Sequence, residues 1–247
     1  MSDQPLRGKV AIVTGAGRGI GKAIAQAYAR AGASVCCAAR SAAQIEETAS
    51  EIVAAGGKAL AVPTDVTQSA AAERMVRQAV EAFGGLDIVV INAGVSGTSR
   101  CVEESDPAAW RAVIEVNLLG AYHCARAAIP ALKRRGAGKI ITVGSGRGHR
   151  GAAEGSHYAV SKAGLWMLTR VLAQELADSK ISVNELIPGP VATRMTQEAA
   201  QQGKGASAIP GEWTKAPEDV VPLAMFLATQ PDVGPTAQSF SLMRRDN

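Results

Sequence analysis

Short apolar runs alternate with helix-forming stretches along almost the whole chain, and this alternation limits the possible folds more than any other sequence feature. Apolar runs bounded by glycine, proline or polar residues predict strands buried on both faces, as in a parallel sheet. The stretches between them are rich in alanine, and several end at glycine, as helices commonly do. The strands are predicted at residues 9–14, 34–39, 58–62, 86–91, 139–144, 181–187 and 238–243, and the helices at residues 22–30, 42–55, 68–83, 107–135, 156–177 and 217–229.

The regular alternation predicts one α/β domain that spans residues 1–247. We expect a doubly wound, Rossmann-type arrangement of about seven parallel strands with helices on both faces. Aromatic residues make up only 4% of the chain, which suits close packing of aliphatic side chains between helices and a sheet. Residues from about 190 to 213 are rich in glutamine, glycine, alanine and serine, and we interpret them as a mobile substrate lid.

Charge, hydrophobicity and cysteine content indicate which partners and which cellular location to expect. The 26 basic and 22 acidic residues are spread along the sequence, so the net charge of +4 forms no patch and we expect no nucleic-acid partner. No run approaches the ~20 apolar residues of a membrane span, and the N-terminus has no apolar signal core, so we expect a cytoplasmic protein without a membrane partner. Cys36, Cys37, Cys101 and Cys124 lack metal-ligand spacing, which favours reduced, buried thiols and no metal site. Adjacent Cys36 and Cys37 should face opposite sides of the sheet.

A glycine-rich turn, Gly15-x-x-x-Gly19-x-Gly21, separates the first predicted strand from the first predicted helix. Glycines at such a turn let the backbone approach a pyrophosphate, whose charge a helix N-terminus favours. A tight loop without a ligand would look similar, but the position between a first strand and a helix favours a dinucleotide site.

The second predicted strand ends in Ala39-Arg40-Ser41, at the place where an acidic residue would hydrogen-bond the adenosine ribose of NAD. No carboxylate is present there to repel a phosphate, and Arg40 and Arg18 are available to bind one. We therefore expect a preference for NADP(H), whose ribose carries a 2′-phosphate, with NAD(H) still possible. The alternative is that Arg40 simply points into solvent.

Polar and small residues follow several strands at the edge where parallel sheets bind ligands. Asp65-Val66 follows the third strand, where it could meet an adenine, and Asn92-Ala93-Gly94 follows the fourth, where small residues leave room for a cofactor. Both segments also consist of ordinary turn formers. Ser145 follows the fifth strand and should face the same edge. Asn117, inside the predicted helix 107–135, marks either a polar network or a local kink.

Tyr158 and Lys162 are four residues apart on a predicted helix, so they lie on one face about one turn apart. A phenol with a pKa of ~10 is a poor proton donor near neutral pH. An ammonium about 4 Å away in a partly buried site could favour the phenolate by roughly 4 kcal/mol, or about 3 pKa units. Such a tyrosine could exchange a proton with a substrate oxygen, although the same spacing also occurs in surface pairs.

These motifs occur together in one order: Thr14-Gly15-x-x-x-Gly19-x-Gly21, Asn92-Ala93-Gly94, Asn117, Ser145, Tyr158-x-x-x-Lys162, and Pro188-Gly189 with Thr193. In this order the chain resembles the short-chain dehydrogenase/reductase family over nearly its whole length. The resemblance implies a catalytic tetrad of Asn117, Ser145, Tyr158 and Lys162. It implies that Tyr158 exchanges a proton with the substrate oxygen and that Ser145 holds that oxygen. It also implies that Lys162 binds the nicotinamide ribose and lowers the pKa of Tyr158, and that Asn117 supports a water chain.

The same resemblance implies a nicotinamide cofactor and a set of contacts to it. The expected contacts are Gly15, Arg18, Gly19, Ile20, Gly21, Arg40, Asp65, Val66, Asn92, Ala93, Gly94, Tyr158, Lys162, Pro188, Gly189, Val191 and Thr193. A homotetramer, or a homodimer, is also implied, through the helix that carries Tyr158 and the helix before it. Tyr122 and Trp166 are candidate contacts in that interface, or else belong to the core of one chain.

The expected function is the NADP(H)-dependent interconversion of a small-molecule ketone and a secondary alcohol. An alternative is a reductase of 3-oxoacyl groups on acyl carrier protein or coenzyme A, since the chain's general layout resembles that branch of the family. The two carrier-docking arginines of that branch align with Gly136 and Ser179, although Arg135 and Lys180 stand beside them. A nucleotide-binding redox sensor without turnover is the non-enzymatic alternative.

Residues near Ser145 and Tyr158 should line the substrate pocket. Arg147 could bind a carboxylate of the substrate, or it could pair with Glu154. His149 and His157 could contact a polar substrate, or they could lie at the surface.

Overall fold

The computed structural model describes residues 4–201 and 212–243. Seven strands form one parallel sheet in the order β3-β2-β1-β4-β5-β6-β7, which confirms the predicted fold class. The strands are β1 (Val10–Thr14), β2 (Ser34–Ala39), β3 (Lys58–Pro63), β4 (Ile88–Ile91), β5 (Gly138–Val143), β6 (Ile181–Ile187) and β7 (Ser239–Ser241). The α-helices are α1 (Gly19–Arg30), α2 (Ala42–Ala54), α3 (Ser69–Phe83), α4 (Pro107–Ile114), α5 (Gly120–Arg135), α6 (Ser156–Glu175), α7 (Arg194–Gln201) and α8 (Val221–Thr229).

Helices cover the sheet on both faces, because its strands are apolar on both sides. One hydrophobic cluster joins the sheet to α3, α5 and α6, and a second joins it to α1, α2 and α8. Cys36 belongs to the first cluster and Cys37 to the second, so the two cysteines face opposite sides as predicted. Cys101 is exposed, which corrects the expectation that all four thiols are buried.

The predicted helix 107–135 is interrupted at Asn117. Helix α4 ends at Ile114, a π-helical turn covers Glu115–Leu119, and α5 begins at Gly120. A π turn inserts one residue into the helical hydrogen-bond pattern and often occurs at functional sites. The sequence left a kink and a polar network as alternatives for Asn117, and the structure contains both.

Other differences from the predicted elements are confined to their ends. The helix predicted at 217–229 begins with a 3₁₀ turn, Pro217–Val220, before α8, and β7 is only three residues long. The segment interpreted as a lid includes helix α7, and residues 202–211 of it lie outside the described residues. Within residues 4–201 and 212–243, no helix is both long enough and apolar enough to cross a membrane.

Candidate active site

The glycine-rich turn between β1 and α1 adopts a conformation that needs its glycines. Gly15 and Gly19 have φ angles of +69° and +55°, which most side chains disfavour. Gly21 has no room for a Cβ atom, because the carbonyl oxygen of Gly15 and the amide of Asn92 occupy that space. The predicted phosphate-binding loop therefore depends on contacts with the end of β4 as well as on its own sequence.

Asn92 and Thr14 tie this loop to β4. The Asn92 side chain donates hydrogen bonds to the carbonyl oxygens of Thr14 (2.8 Å) and Gly15 (3.3 Å). In return, the backbone N–H groups of Asn92 and Ala93 donate to Thr14 Oγ1 at 3.0 and 3.1 Å. Asn92 thus links the end of β4 to the glycine-rich turn after β1.

A cavity of about 590 Å³ opens at the carboxyl edge of the sheet. It brings together most of the residues predicted to contact a dinucleotide: Gly15, Arg18, Gly19, Ile20, Arg40, Asp65, Val66, Asn92, Ala93, Gly94 and Thr193. Pro188, Gly189, Val191, Gly21, Tyr158 and Lys162 do not line it. Sequence reasoning missed several lining residues, among them Gln44, Thr64, Val116 and Met195, which belong to no recognisable motif.

One end of the cavity is basic. Arg18 and Arg40 line it together with Ser41 and Gln44, and both arginines are exposed. Asp65 is an acidic residue of the lining, and its Oδ1 already accepts hydrogen bonds from the backbone and side chain of Thr67. The arrangement suits an anionic group such as a ribose phosphate, for which two guanidinium groups are good partners.

Asn117 is buried and connects three parts of the site. Its Oδ1 accepts from the backbone N–H of Val95 (2.8 Å), and its Nδ2 donates to the Val95 carbonyl (2.9 Å) and to Ser161 Oγ (3.0 Å). Ser161 Oγ in turn donates to the Tyr158 carbonyl at 2.8 Å. Both N–H groups of the side-chain amide are therefore used within the protein, and Asn117 joins the loop after β4 to helix α6.

Ser145, Tyr158 and Lys162 meet at the carboxyl end of β5. Ser145 follows that strand and accepts a hydrogen bond from the Arg147 backbone at 3.3 Å, and its side chain lies near the side chain of Tyr158. Lys162 Nζ donates to the Val143 carbonyl at 2.8 Å and lies 5.8 Å from the centre of the Tyr158 ring. Gly94 joins this group to the cavity, since a Cβ there would lie 3.8 Å from Lys162 Nζ.

The acid–base properties of this group differ in part from the sequence-based expectation. Burial raises the pKa of Tyr158, while the nearby Ser145 hydroxyl and the charge of Arg147 lower it by less. Burial also lowers the pKa of Lys162 to about 8, opposed by the negative charge of Glu185. The prediction that Lys162 lowers the pKa of Tyr158 stays a prediction: the ammonium donates to the Val143 carbonyl, and the favourable charge on the phenol comes from Arg147.

Two histidines that could contact substrate or lie at the surface are hydrogen-bonded within the protein. His157 is buried, and its Nε2 lies 3.0 Å from the Ser96 carbonyl oxygen. His149 Nε2 lies 2.8 Å from Oε2 of Glu185, a fully buried carboxylate on β6. Glu185 was missed by sequence reasoning, although a glutamate inside an apolar strand is a usable signal, since a buried charge needs partners.

This arrangement can hold and protonate a polarised oxygen. A hydroxyl group on Ser145 and a phenol on Tyr158 are adjacent, and an ammonium lies one helical turn away. Donors placed around a developing negative charge are an effective means of lowering a reaction barrier. The site thus combines acid–base groups with a neighbouring cavity of the size and lining expected for a dinucleotide.

Comparisons of sequence and of structure with known proteins point to the same family. Residues 9–204 match the family model described as short chain dehydrogenase. The chain is 39% identical over 231 residues to the short-chain dehydrogenase/reductase eriH of Hericium erinaceus, covering 90% of each chain. It is 34% identical over 239 residues to a 3-oxoacyl-[acyl-carrier-protein] reductase of Synechocystis sp., covering 96% of each. A crystal structure of a short-chain type dehydrogenase/reductase from Mycobacterium marinum superposes with a TM-score of 0.90 at 35% identity, over 97% of this chain and 95% of the other.

Proposed function

The chain belongs to the short-chain dehydrogenase/reductase family, and on that basis we propose that it interconverts a ketone and a secondary alcohol with NADP(H) as cofactor. The observation that carries the proposal is that the Tyr158 phenol and the Ser145 hydroxyl are neighbours beside the buried Lys162, at the point where Gly94 opens into the cavity. One domain, formed by the whole chain, would hold both cofactor and substrate.

The residues of the site have distinct proposed roles. Tyr158 gives a proton to the carbonyl oxygen during reduction and takes it back during oxidation, and Ser145 holds that oxygen by a hydrogen bond. Lys162 binds the ribose next to the nicotinamide, which supplies the hydride when the cofactor is bound. Asn117 acts as a positioning residue, because its side-chain amide is already hydrogen-bonded to Val95 and Ser161. The expected water chain would begin from an oxygen of Asn117, because both side-chain N–H groups are already used.

The preference for NADP(H) is supported by the basic end of the cavity. Arg18 and Arg40 line it, and Ala39 stands where a carboxylate would favour NAD. The glycines of the turn after β1 and the size of the cavity fit a dinucleotide in either form. The charge of the two arginines therefore carries this part of the proposal.

A 3-oxoacyl thioester is a second candidate substrate, supported by the name of the Synechocystis relative. Two observations weigh against docking of a carrier protein in the manner of that branch. Gly136 ends α5 with a φ angle of +87°, where arginine would be strained, and the neighbouring Arg135 is already bonded to Asp87 Oδ1 at 3.0 Å. A thioester of coenzyme A needs no such docking surface.

A homotetramer, or a homodimer, is part of the proposal. Helices α5 and α6 expose apolar side chains on their outer surfaces, including Tyr122, Val160, Met167 and Val171. Trp166 contacts the His149 ring and the Arg170 guanidinium of its own chain, so Tyr122 is the better interface candidate of the two aromatic residues. Reduced thiols at four unpaired cysteines suit the proposed cytoplasmic location.

A turnover assay with ketones and secondary alcohols, run with both cofactors, tests the function. Tyr158→Phe removes the proton donor and should lower kcat by about 100-fold or more, while NADPH binding, measured by fluorescence, persists. Tyr28→Phe is the matched control, because it removes a buried hydroxyl that is bonded to the Ala224 carbonyl at 2.9 Å, away from the site. It should keep its activity.

Two results would contradict the proposal. Undiminished turnover by Tyr158→Phe would exclude the phenol as the acid. A wild-type protein that binds NADPH but reduces no ketone and oxidises no alcohol would instead favour the redox-sensor alternative.

A further inference from the structure

Strand β6 places the carboxylate of Glu185 in the interior, next to the end of β5 that carries Ser145. Glu185 is 0% exposed and pairs in the sheet with Thr142 of β5 and Ser239 of β7. Its Oε2 accepts a hydrogen bond from Ser239 Oγ at 2.6 Å and lies 2.8 Å from His149 Nε2. Its Oε1 is buried without a hydrogen-bond partner in the part of the chain that the structure describes. A buried carboxylate with an unsatisfied oxygen is costly, so it calls for an explanation.

The free oxygen of Glu185 supports the end of β5. Oε1 occupies the space that a Cβ atom on Gly144 would need, so the two residues are packed against each other. The Gly144 N–H also donates to the carbonyl of Leu186, the residue after Glu185, at 2.9 Å. Gly144 immediately precedes Ser145. The position of the Ser145 hydroxyl therefore depends on the glutamate beneath it.

The loop from Ser145 to His149 is held between β6 and α6. The Gly148 N–H donates to the Ser145 carbonyl at 2.8 Å, and a side chain on Gly148 would overlap the backbone of Lys162. The His149 ring then lies 5.0 Å from the Trp166 ring, one turn after Lys162 on the same helix. Glu185 anchors the far end of this loop through His149.

The charges around Lys162 are few. Among the described residues, the Tyr158 ring lies 5.8 Å from its ammonium, and Glu185 is the carboxylate whose charge acts on it. Lys162 and Glu185 meet the same strand end, since the ammonium donates to the Val143 carbonyl and the carboxylate packs against Gly144. His149 faces Glu185, and Arg147 faces Tyr158. Burial alone would drive the lysine toward its neutral form, and the negative charge of Glu185 opposes this change.

We propose that Glu185, held by His149 and Ser239, is a positioning residue of the active site that keeps the Lys162 ammonium charged and fixes the strand end that carries Ser145. The inference rests on the proposed role of Lys162 in binding the cofactor. It adds to the tetrad a second layer, formed by a carboxylate, an imidazole and a hydroxyl that touch neither substrate nor cofactor.

The test measures the dissociation constant of NADPH across neutral and alkaline pH. Affinity of the wild-type protein should fall as the pH rises through the pKa of Lys162. Glu185→Gln keeps the shape of the side chain but removes its charge, so the pKa of Lys162 decreases and the fall should begin about one pH unit lower. Glu73→Gln, which removes an exposed carboxylate paired with Arg126, is the matched control and should not shift the curve.

A second variant separates the charge of Glu185 from its packing. Glu185→Asp keeps the charge but withdraws the side chain from Gly144, so its curve should stay closer to the wild-type curve than the Glu185→Gln curve does. Loss of packing alone would affect the shorter aspartate more than the glutamine and would reverse this order. Thermal unfolding is recorded for both variants, and if Glu185→Gln does not fold, a Glu185→Asp curve that begins to fall about one pH unit below the wild-type curve overturns the inference.

The outcomes separate this inference from the proposed function. Wild-type affinity that is independent of pH would contradict the role of Lys162 in cofactor binding, and with it both proposals. A pH-dependent wild type with an unshifted Glu185→Gln curve would overturn the inference alone, as would a Glu185→Asp curve that is shifted further than the Glu185→Gln curve.

Discussion

Cofactor choice is the property most directly governed by single side chains, because NADP and NAD differ by one phosphate group. Exchanging Ala39→Asp together with Arg40→Ala removes a guanidinium from the basic end of the cavity and adds a carboxylate that repels a phosphate. A hydrogen bond to a charged group contributes about 1.5–3 kcal/mol. The ratio of kcat/KM for NADPH to that for NADH should therefore fall by roughly 100-fold, from steady-state assays with both cofactors.

Arg77→Ala controls for the loss of an exposed arginine elsewhere on the surface, where the guanidinium lies 3.9 Å from Glu81, and should leave the ratio unchanged. An unchanged ratio in the double variant would mean that Arg40 does not contact the phosphate.

Residues with fixed spacing were the ones that the sequence could identify. Tyr158, Lys162 and Ser145 form a pattern along the chain, and the structure brings them together as expected. Glu185 and His149 could not be paired in advance, because 36 positions separate them and only the sheet and the loop after β5 make them neighbours.

At the scale of secondary-structure elements, the alternation of strands and helices was predictable because each element carries its own periodicity and end signals. The π turn between α4 and α5 was not, since no local signal fixes which residue is inserted into a helix. Its position is explained by tertiary contacts: the Asn117 side chain pairs with both backbone groups of Val95. Residues 202–211 of the expected lid remain a prediction.

This turn leads to a prediction about Asn117. Asn117→Ala leaves the N–H and C=O groups of Val95 without their partner, which costs about 1–3 kcal/mol for each group if it stays buried. The loop after β4 then loses its link to α6, so NADPH affinity should fall by roughly tenfold or more and the melting temperature should decrease.

Asn184→Ala is the matched control, since this buried asparagine similarly bonds the Pro235 carbonyl and the Gln238 N–H, in the segment that leads into β7. It should lower the melting temperature without weakening cofactor binding. If both variants weakened NADPH binding equally, the loss of affinity in Asn117→Ala would reflect lower overall stability and not a specific effect on the site.

At the scale of the whole molecule, the proposed oligomer can be tested through the exposed apolar side chains of α6. Val160, Met167 and Val171 form a stripe on α6, and each is between 44% and 49% exposed. Met167→Glu combined with Val171→Glu places two charges in the proposed interface, so the assembly should dissociate into smaller species, measured by analytical ultracentrifugation. Val53→Glu, on the exposed side of α2, should leave the mass unchanged. A variant that keeps the wild-type mass would exclude this face as the interface.

The link between Thr14 and Asn92 has a consequence for synthesis of the chain. The two residues are 78 positions apart, and β1 and β4 are neighbours at the centre of the sheet. While the chain up to β4 leaves the ribosome, β1, β2 and β3 can be present with their helices, yet the hydroxyl of Thr14 still lacks the N–H groups of Asn92 and Ala93. The glycine turn reaches its final shape only after β4 has emerged, so the nascent chain acquires its nucleotide site late, although the motif that marks it comes first.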